Sequence, residues 1–421
     1  MSLLADLPRL HAEGRTAGIT SVCSAHPVVI EAALRLGVET DSPVLIEATC
    51  NQVNQDGGYT GMTPADFRAF VERIADATAF PREHLILGGD HLGPNPWKDL
   101  PPADAMAKAR AMVDAYARAG FEKIHLDTSM GCAGEPVALP DAVTAERAAD
   151  LAAVAEASAP VPPVYVIGTE VPVPGGATHA IDHLEVTSPD AARETVAVHA
   201  RAFAARGLDA AFARAIAAVV QPGVEFGNDD VIIYRPEAAR ALSATLGQLP
   251  GFVFEAHSTD YQPTEALAAL VRDGFAILKV GPGLTFALRE ALYGLDYIAA
   301  ALDGQPPALA AAMEAVMVAN PANWQKYLHG TPDDLRRERH FGYADRIRYY
   351  WPDPAAQAAL AALEARLAGR RIPETLVSQY LAALYPDVAS GQLEPTPHAL
   401  QIAAVQRVLR QYRAATHPGK A

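Results

Sequence analysis

The chain has 421 residues, half of them hydrophobic, and its formal net charge is −15. An acidic chain of this length, without a block of basic residues, argues against nucleic acid or an anionic membrane as the main partner. The three cysteines show no CxxC spacing, the N-terminus lacks a signal-peptide core, and no apolar stretch reaches the ~18 residues that span a bilayer. We therefore expect a cytoplasmic protein.

Eight short apolar runs alternate with alanine-rich segments of helical periodicity. The runs are ITSVCSA (19–25), PVLIEATC (43–50), HLILGGD (84–90), EKIHLDTS (122–129), PPVYVIGTE (162–170), IAAVVQPGVEF (216–226), FVFEAH (252–257) and AILKVG (276–281). Such β-branched, unpunctuated runs are typical of strands buried on both faces. They predict a (β/α)8 barrel over residues 1–304. A doubly wound open sheet competes, but no GxGxxG follows the first run.

Beyond residue 305 the sequence favours helices, and we expect residues 305–421 to form a helical extension packed on the barrel. Its segment RRERHFGYADRIRYYW (336–351) mixes arginines with aromatic residues. This segment is either a solvated helix face docked by its aromatics, or a cap that brings Arg339, Tyr343 or Arg346 toward a substrate.

Polar residues recur where the predicted strands end, and in this fold those ends face the active-site mouth. They are Ser24, His26, Glu47, Asn51, Asp90, His91, Asp127, Ser129, Glu170, Glu225, His257, Asp260 and Lys279. Among them we expect substrate contacts from Glu47, Asn51, Ser129, Asp260 and Lys279. Alternatively, Glu47 and Asp127 orient loops or a metal-bound histidine, and Lys279 pairs with a barrel carboxylate. The segment 281–283, Gly-Pro-Gly, opens a predicted helix and can receive a phosphate on its backbone N–H groups.

His91, Glu225 and His257 are the predicted metal ligands. Two imidazoles and a carboxylate from three strands can bind Zn²⁺, Mn²⁺ or Ni²⁺ and leave positions open for substrate. Glu170 is a possible fourth ligand or a nearby base. The spacing is not a local motif such as HExxH, so this prediction depends on the barrel.

Six longer motifs carry a family resemblance. They are GGDHLGPNPW, HLDTSMGCAGEP, GTEVPVPGG, QPGVEFGND, FEAHSTDYQ and RHFGYADRIRYYW. Together they resemble the accessory (Z) subunit family of class II D-tagatose-1,6-bisphosphate aldolase, over nearly the whole chain. That family is more distantly similar to the class II metal-dependent ketose-bisphosphate aldolases. The resemblance implies that His91 and His257 bind a metal and that Asp90 transfers a proton.

Two departures from those aldolases bear on the substrate. Glu225 stands where they have a third histidine, and Ser258-Thr259-Asp260 replaces a glycine-rich phosphate loop. A carboxylate repels phosphate, so metal chemistry looks retained while bisphosphate binding looks altered. The family is often regarded as a non-catalytic partner of the aldolase subunit, and some members resemble 4-epimerases of unphosphorylated ketoses.

One reaction connects these possibilities. If a base removes the C4 hydroxyl proton of a metal-chelated ketohexose, the C3–C4 bond can break. Release of the halves makes an aldolase, whereas rotation and rejoining makes a 4-epimerase. Asp90, Asp127 and Glu170 are the predicted catalytic proton carriers. We favour an epimerase of fructose and tagatose. The alternatives are an aldolase subunit, or a stabilising partner of a separate aldolase chain. We also expect a homo-oligomer.

Overall fold

The computed structural model describes residues 3–169 and 184–417. Eight parallel strands form a closed barrel, in which each strand pairs with the next along the chain and the last pairs with the first. They are β1 (Ile19–Cys23), β2 (Val44–Thr49), β3 (Leu85–Leu92), β4 (Lys123–Leu126), β5 (Val164–Ile167), β6 (Ala215–Val220), β7 (Val253–Ala256) and β8 (Phe275–Val280). The predicted (β/α)8 barrel is confirmed.

Helices follow the strands and continue beyond them. They are α1 (Leu3–Ala12), α2 (Pro27–Thr40), α3 (Pro64–Ala77), α4 (Pro102–Arg118), α5 (Asp141–Ser158), α6 (Pro189–Ala205), α7 (Asp209–Phe212), α8 (Pro236–Ala244), α9 (Thr264–Arg272), α10 (Pro282–Asp303), α11 (Leu309–Ala319), α12 (Pro332–Phe341), α13 (Pro354–Leu367), α14 (Glu374–Tyr380), α15 (Tyr385–Ala389) and α16 (Pro397–Thr416). Local chemistry sets several starts. At α3, Thr63 and Asp66 form a reciprocal capping box.

The sixth apolar run, 216–226, is divided between two structures. β6 ends at Val220, and Glu225–Phe226 pairs antiparallel with Val231–Ile232 in a separate hairpin. The Gln221 side chain accepts the N–H groups of the two residues after Pro222, at 2.8 and 2.9 Å. The first of these, Gly223, has φ 92°, so the chain turns away after β6. Glu225 therefore lies in the loop that follows a barrel strand.

The N-terminal end of the barrel is apolar. Leu4 and Leu7 of α1 are fully buried in a cluster with residues of the barrel interior, among them Ile19, Leu45 and Ile86. α1 contacts β6 and β7. Burial of these side chains removes apolar surface from water, which is the main favourable contribution to folding. This end of the barrel therefore provides stability.

The helical extension returns to the barrel at its end. α16 packs against α2, α9 and α10, and the Tyr412 hydroxyl donates to the Thr259 carbonyl at 2.6 Å. Residues of α16 belong to the same hydrophobic core as the outer faces of the strands. α10 ends at Asp303, beside the predicted boundary after residue 304, but the division into two units stays a prediction. In the part of the chain that is described, no helix is long and apolar enough to cross a membrane.

Candidate active site

The site begins at the end of β3, where the backbone turns His91 toward the barrel mouth. His91 has φ 51°, a left-handed backbone conformation that residues other than glycine adopt at a cost of about 1–3 kcal/mol. The His91 nitrogen lies 3.2 Å from His125 Nδ1, and the Asp90 carbonyl accepts from the Cys50 N–H at 3.0 Å. The glycine at 88 is needed because a Cβ there would lie 2.5 Å from the Glu47 carboxylate.

Three imidazoles meet beside Asp90. The ring centroids of His91, His125 and His257 are 4.8 to 5.3 Å apart. One potential ligand atom from each ring and one from Asp90 all lie within 4.8 Å of one another, and the four residues are buried. The sequence analysis missed His125, which lies inside the β4 run. The signal was present, because Lys123 and His125 alternate in an otherwise apolar strand and so share its inward face.

Carboxylates orient the three rings. His91 Nδ1 lies 2.7 Å from Asp127, His125 Nδ1 lies 2.9 Å from Asp90, and His257 Nε2 lies 2.9 Å from Glu255. Such pairs fix the tautomer of metal-ligating histidines and leave the second nitrogen available. Asp127 thus has the orienting position that the sequence left open for it.

The donor set fits a divalent transition metal. Burial lowers the pKa of His257 to about 4, which keeps this imidazole neutral as a metal ligand requires. His125 Nε2 is buried and has no hydrogen-bond partner among the described residues. The Asp90 and Asp127 carboxylates raise the pKa of His91 against the effect of burial, so this ring would release its proton on binding a metal. Imidazole nitrogens with one carboxylate suit Zn²⁺, Mn²⁺ or Ni²⁺. His91 and His257 were predicted as ligands, and their convergence is consistent with that role.

A buried charge network lies against this cluster. Lys123 Nζ is 2.6 Å from Glu47 and 2.7 Å from Glu255, and all three side chains are fully buried. Lys279 pairs with Glu47 and lies 2.9 Å from Asp90. The three carboxylates and two ammonium groups sum to a formal charge of −1, which favours a cation nearby. Burial alone would raise the pKa of Asp90, but the neighbouring His91 and Lys279 charges hold it well below its usual range. The Asp90 carboxyl is therefore held in its ionised form.

A cleft opens above the cluster. Its wall includes Cys23, Thr49, Asn51, Gln52, Tyr59, Asp90, His91, Phe226, His257, Ser258, Asp260, Lys279, Gly281, Arg348 and Tyr349. Asn51, Asp260 and Lys279 thus face the space where we expected substrate. The arginine-rich segment reaches the cleft through Arg348 and Tyr349, which the sequence analysis did not single out.

The three residues that were singled out in that segment have structural partners instead. Arg339 donates to Glu314 at 3.0 Å, and Arg346 donates to the Asn323 carbonyl. The Tyr343 carbonyl accepts from the Tyr261 hydroxyl at 2.6 Å. A helical pattern with several arginines cannot show which of them faces the barrel, because that depends on how the segment packs.

Asp260 occupies the backbone donors at the start of α10. One of its carboxylate oxygens accepts the N–H of Gly281 at 2.9 Å and of Gly283 at 2.7 Å. Burial raises the pKa of this carboxyl to about 6. The Gly-Pro-Gly turn that the sequence offered as a phosphate site is therefore filled by the chain's own carboxylate.

Three further residues were predicted to take part in metal or substrate binding, and they are Glu225, Ser129 and Glu170. The Glu225 carboxylate accepts the N–H of Phe226 at 3.0 Å, and burial raises its pKa. Glu225 is not in the group of ligand atoms within 4.8 Å, so its metal role stays a prediction. The Ser129 hydroxyl donates to Asp127 at 3.0 Å. Glu170, the predicted base or fourth ligand, lies outside the described residues.

Comparison with known proteins identifies the family. Residues 4–417 match the family model described as D-tagatose-1,6-bisphosphate aldolase subunit GatZ/KbaZ-like. The chain is 56% identical, over its full length and 99% of the other protein, to a D-tagatose 6-phosphate 4-epimerase of Agrobacterium fabrum (strain C58 / ATCC 33970). It also superimposes on the crystal structure of a probable tagatose 6 phosphate kinase from Sinorhizobium meliloti 1021, with TM-score 0.89, 62% identity, and coverage of 94% of this chain and 100% of that one. The resemblance found in the sequence is confirmed, and the chain belongs to the GatZ/KbaZ-like family of D-tagatose-1,6-bisphosphate aldolase subunits.

Proposed function

We propose that this protein is a divalent-metal-dependent 4-epimerase that interconverts the tagatose and fructose forms of a ketohexose 6-phosphate. The observation that carries the proposal is a buried Asp90 carboxylate that lies within 4.8 Å of one nitrogen from each of three imidazoles at the mouth of a barrel. The full-length relative named a tagatose 6-phosphate 4-epimerase supports this reaction. The sequence analysis favoured the free sugars, and both relatives' names contain tagatose 6-phosphate instead.

The metal would be held by His91 and His257, with His125 or Glu225 completing the set. When bound, a divalent cation supplies Lewis acidity to the C2 carbonyl and C3 hydroxyl of the sugar. The Asp127 carboxylate keeps the His91 ring in place through a hydrogen bond of 2.7 Å, and the Glu255 carboxylate does the same for the His257 ring at 2.9 Å.

Asp90 moves the proton. Lys279 lies 2.9 Å from Asp90 Oδ1, so the second oxygen, Oδ2, is the one we assign to the C4 hydroxyl. When Oδ2 takes that proton, the O–H electrons form the aldehyde C=O, the C3–C4 bond breaks, and its electron pair moves onto the C2 carbonyl. The halves are an enediolate and an aldehyde. Rotation of the aldehyde presents its other face, the C3–C4 bond forms again, and Asp90 returns the proton to O4.

A direct assay tests the function. The purified protein, supplied with Zn²⁺, Mn²⁺ or Ni²⁺, is incubated with tagatose 6-phosphate, tagatose or tagatose 1,6-bisphosphate. We expect fructose 6-phosphate from the first substrate as the fastest product. Cleavage of the bisphosphate to triose phosphates without epimerisation would favour an aldolase instead. Activity that appears only with a separate aldolase chain would favour the stabilising partner.

Isotopes test the mechanism. Cleavage and rejoining leave every C–H bond intact, so the reaction in deuterated water should place no deuterium at C4. A substrate labelled with deuterium at C4 should keep it. Added labelled glyceraldehyde 3-phosphate should exchange into the ketose, which distinguishes cleavage from transient oxidation. Loss of the C4 label to solvent would exclude the mechanism.

We further infer a reducing, cytoplasmic location, because Cys23, Cys50 and Cys132 are all free thiols. A homo-oligomer and a separate aldolase subunit as partner stay predictions, which light scattering of the protein alone and mixed with that subunit would check.

A further inference from the structure

Arg348 is a cation of the active-site cleft without a direct ion-pair partner among the described residues, and the Asp260 and Asp345 carboxylates act on it only at longer range. It lines the cleft beside Asp260 and Lys279, and it is half-buried. Within residues 3–169 and 184–417, no Asp or Glu oxygen lies within 4.0 Å of its guanidinium, whereas Lys123, Lys279 and Arg289 each have such a partner. A half-buried guanidinium that has no direct carboxylate partner can make charge-assisted hydrogen bonds to an anionic ligand in the cleft.

Hydrogen bonding leaves part of the guanidinium available. An arginine has five N–H donors. Nη1 donates to the carbonyls of Ala344 and Asp345, and Nη2 donates to the Tyr349 hydroxyl at 2.9 Å. These three bonds leave the Nε–H and one Nη2–H without an acceptor in the described structure. Arginine binds phosphate through N–H donors of this kind, and the Nε–H with the adjacent Nη2–H is one of the pairs that it uses for bidentate contacts.

Tyr349 and Arg346 strengthen the positive character of this wall. Burial alone would raise the pKa of Tyr349, but the Arg348 and Arg346 charges lower it below its ordinary value. Because the Tyr349 oxygen already accepts from Arg348, its own proton is free for a second acceptor. Arg346 lies 3.5 Å over the Tyr327 ring, and it too has no carboxylate within ion-pair distance among the described residues.

The cleft also contains backbone N–H donors that could bind an anion, but the Asp260 carboxylate already accepts from them. The Asp260 carboxylate takes the N–H groups of Gly281 and Gly283, where a (β/α)8 barrel commonly binds phosphate. We infer that Arg348, with the Tyr349 hydroxyl, binds the single phosphate group of a ketose monophosphate, at the end of the sugar remote from the reacting carbonyl. This inference rests on the proposed epimerase function and names the residues that bind the phosphate of its substrate.

The test compares Arg348→Met, Arg348→Lys and the exposed control Arg370→Met on two substrates. Loss of two charge-assisted hydrogen bonds should lower kcat/KM for tagatose 6-phosphate by about 100-fold in Arg348→Met. The value for free tagatose should change by less than about threefold. Arg348→Lys should recover part of the loss, because it keeps the charge but not the fork. Arg370→Met should match the native protein on both substrates.

Inorganic phosphate gives a readout that does not need turnover. Phosphate binding, measured by calorimetry on the metal-loaded protein, should weaken at least about tenfold in Arg348→Met and stay unchanged in Arg370→Met. Equal losses on both sugars with unchanged phosphate affinity would show a structural role and overturn the inference, as would an unchanged preference for the phosphorylated sugar. If the native protein epimerises neither sugar, the proposed function fails, while phosphate calorimetry still decides the role of Arg348.

Discussion

The two ends of the barrel use the same eight strands for opposite purposes. At the N-terminal end, Leu4 and Leu7 are fully buried in an apolar layer. At the mouth, three imidazoles and a network of five charged groups are buried instead. Apolar burial favours folding by about 25 cal/mol per Å², whereas buried ions incur a desolvation penalty that their pairing only partly offsets. The apolar end therefore contributes stability that offsets the free-energy cost of burying charged groups at the mouth.

The largest effect should come from the imidazoles of the mouth. His91→Ala and His257→Ala should each abolish metal binding and lower activity by at least about 1000-fold, equivalent to about 4 kcal/mol of transition-state stabilisation. Elemental analysis and the epimerase assay measure the two losses, and circular dichroism checks the fold. The exposed His398→Ala serves as control. Full metal occupancy in either variant would contradict the ligand assignment.

Lys123 should be the mouth residue with the largest effect on stability. Lys123→Met removes the ammonium group closest to Glu255 and leaves Glu47 and Glu255 with Lys279 alone, which lies 3.9 Å from Glu255. Removal of one partner from a buried ion network should lower the free energy of unfolding by about 3–5 kcal/mol. Denaturant titration measures the loss, with the exposed Lys98→Met as the control that changes it by less than about 0.5 kcal/mol. A variant as stable as the control would mean that the network is not held as buried ions.

Substitution at the opposite end should separate stability from activity. Leu7→Ala opens a cavity under the barrel and should lower the free energy of unfolding by about 2–4 kcal/mol. Because Leu7 lies far from the imidazoles along the strands, kcat and KM below the melting transition should stay within about twofold of the native values. A change in KM without a change in stability would refute the division of roles between the two ends.

A buried histidine outside the mouth gives the smallest effect. Burial lowers the pKa of His199 on α6 from 6.5 to about 4. Between these pH values the unfolded chain binds a proton at His199 that the folded chain does not bind. Protonation therefore favours the unfolded chain, and the free energy of unfolding falls as the pH drops from 6.5 toward 4. His199→Gln should reduce the slope of unfolding free energy in this window by about 1.4 kcal/mol per pH unit.

The remaining slope reports on the other groups that titrate in this window, including His257 and the Asp260 carboxyl at the mouth. Denaturant titrations at several pH values, compared between the native chain and His199→Gln, give the difference directly. An identical slope in both proteins would show that His199 titrates normally in the folded state.

Much of the architecture follows from local sequence pattern. Eight apolar runs, each followed by a helical segment, predict the barrel because strand burial and helix periodicity are properties of neighbouring residues. The Asp90-His91 pair is predicted for the same reason, since it lies at the end of the β3 run. His257 was found at the end of the β7 run in the same way. The family motifs were equally local.

Other features exist only in the folded chain. His125 joins the cluster because the strands bring their inward-facing side chains together, and Lys123 and Glu255 meet across the barrel. Arg348 reaches the cleft from the segment after α12, more than two hundred residues beyond the imidazoles of β3 and β4. Local pattern assigns each residue to a strand, helix or loop. Which distant side chains share one buried space depends on strand register and helix packing, and these are decided by the tertiary structure as a whole.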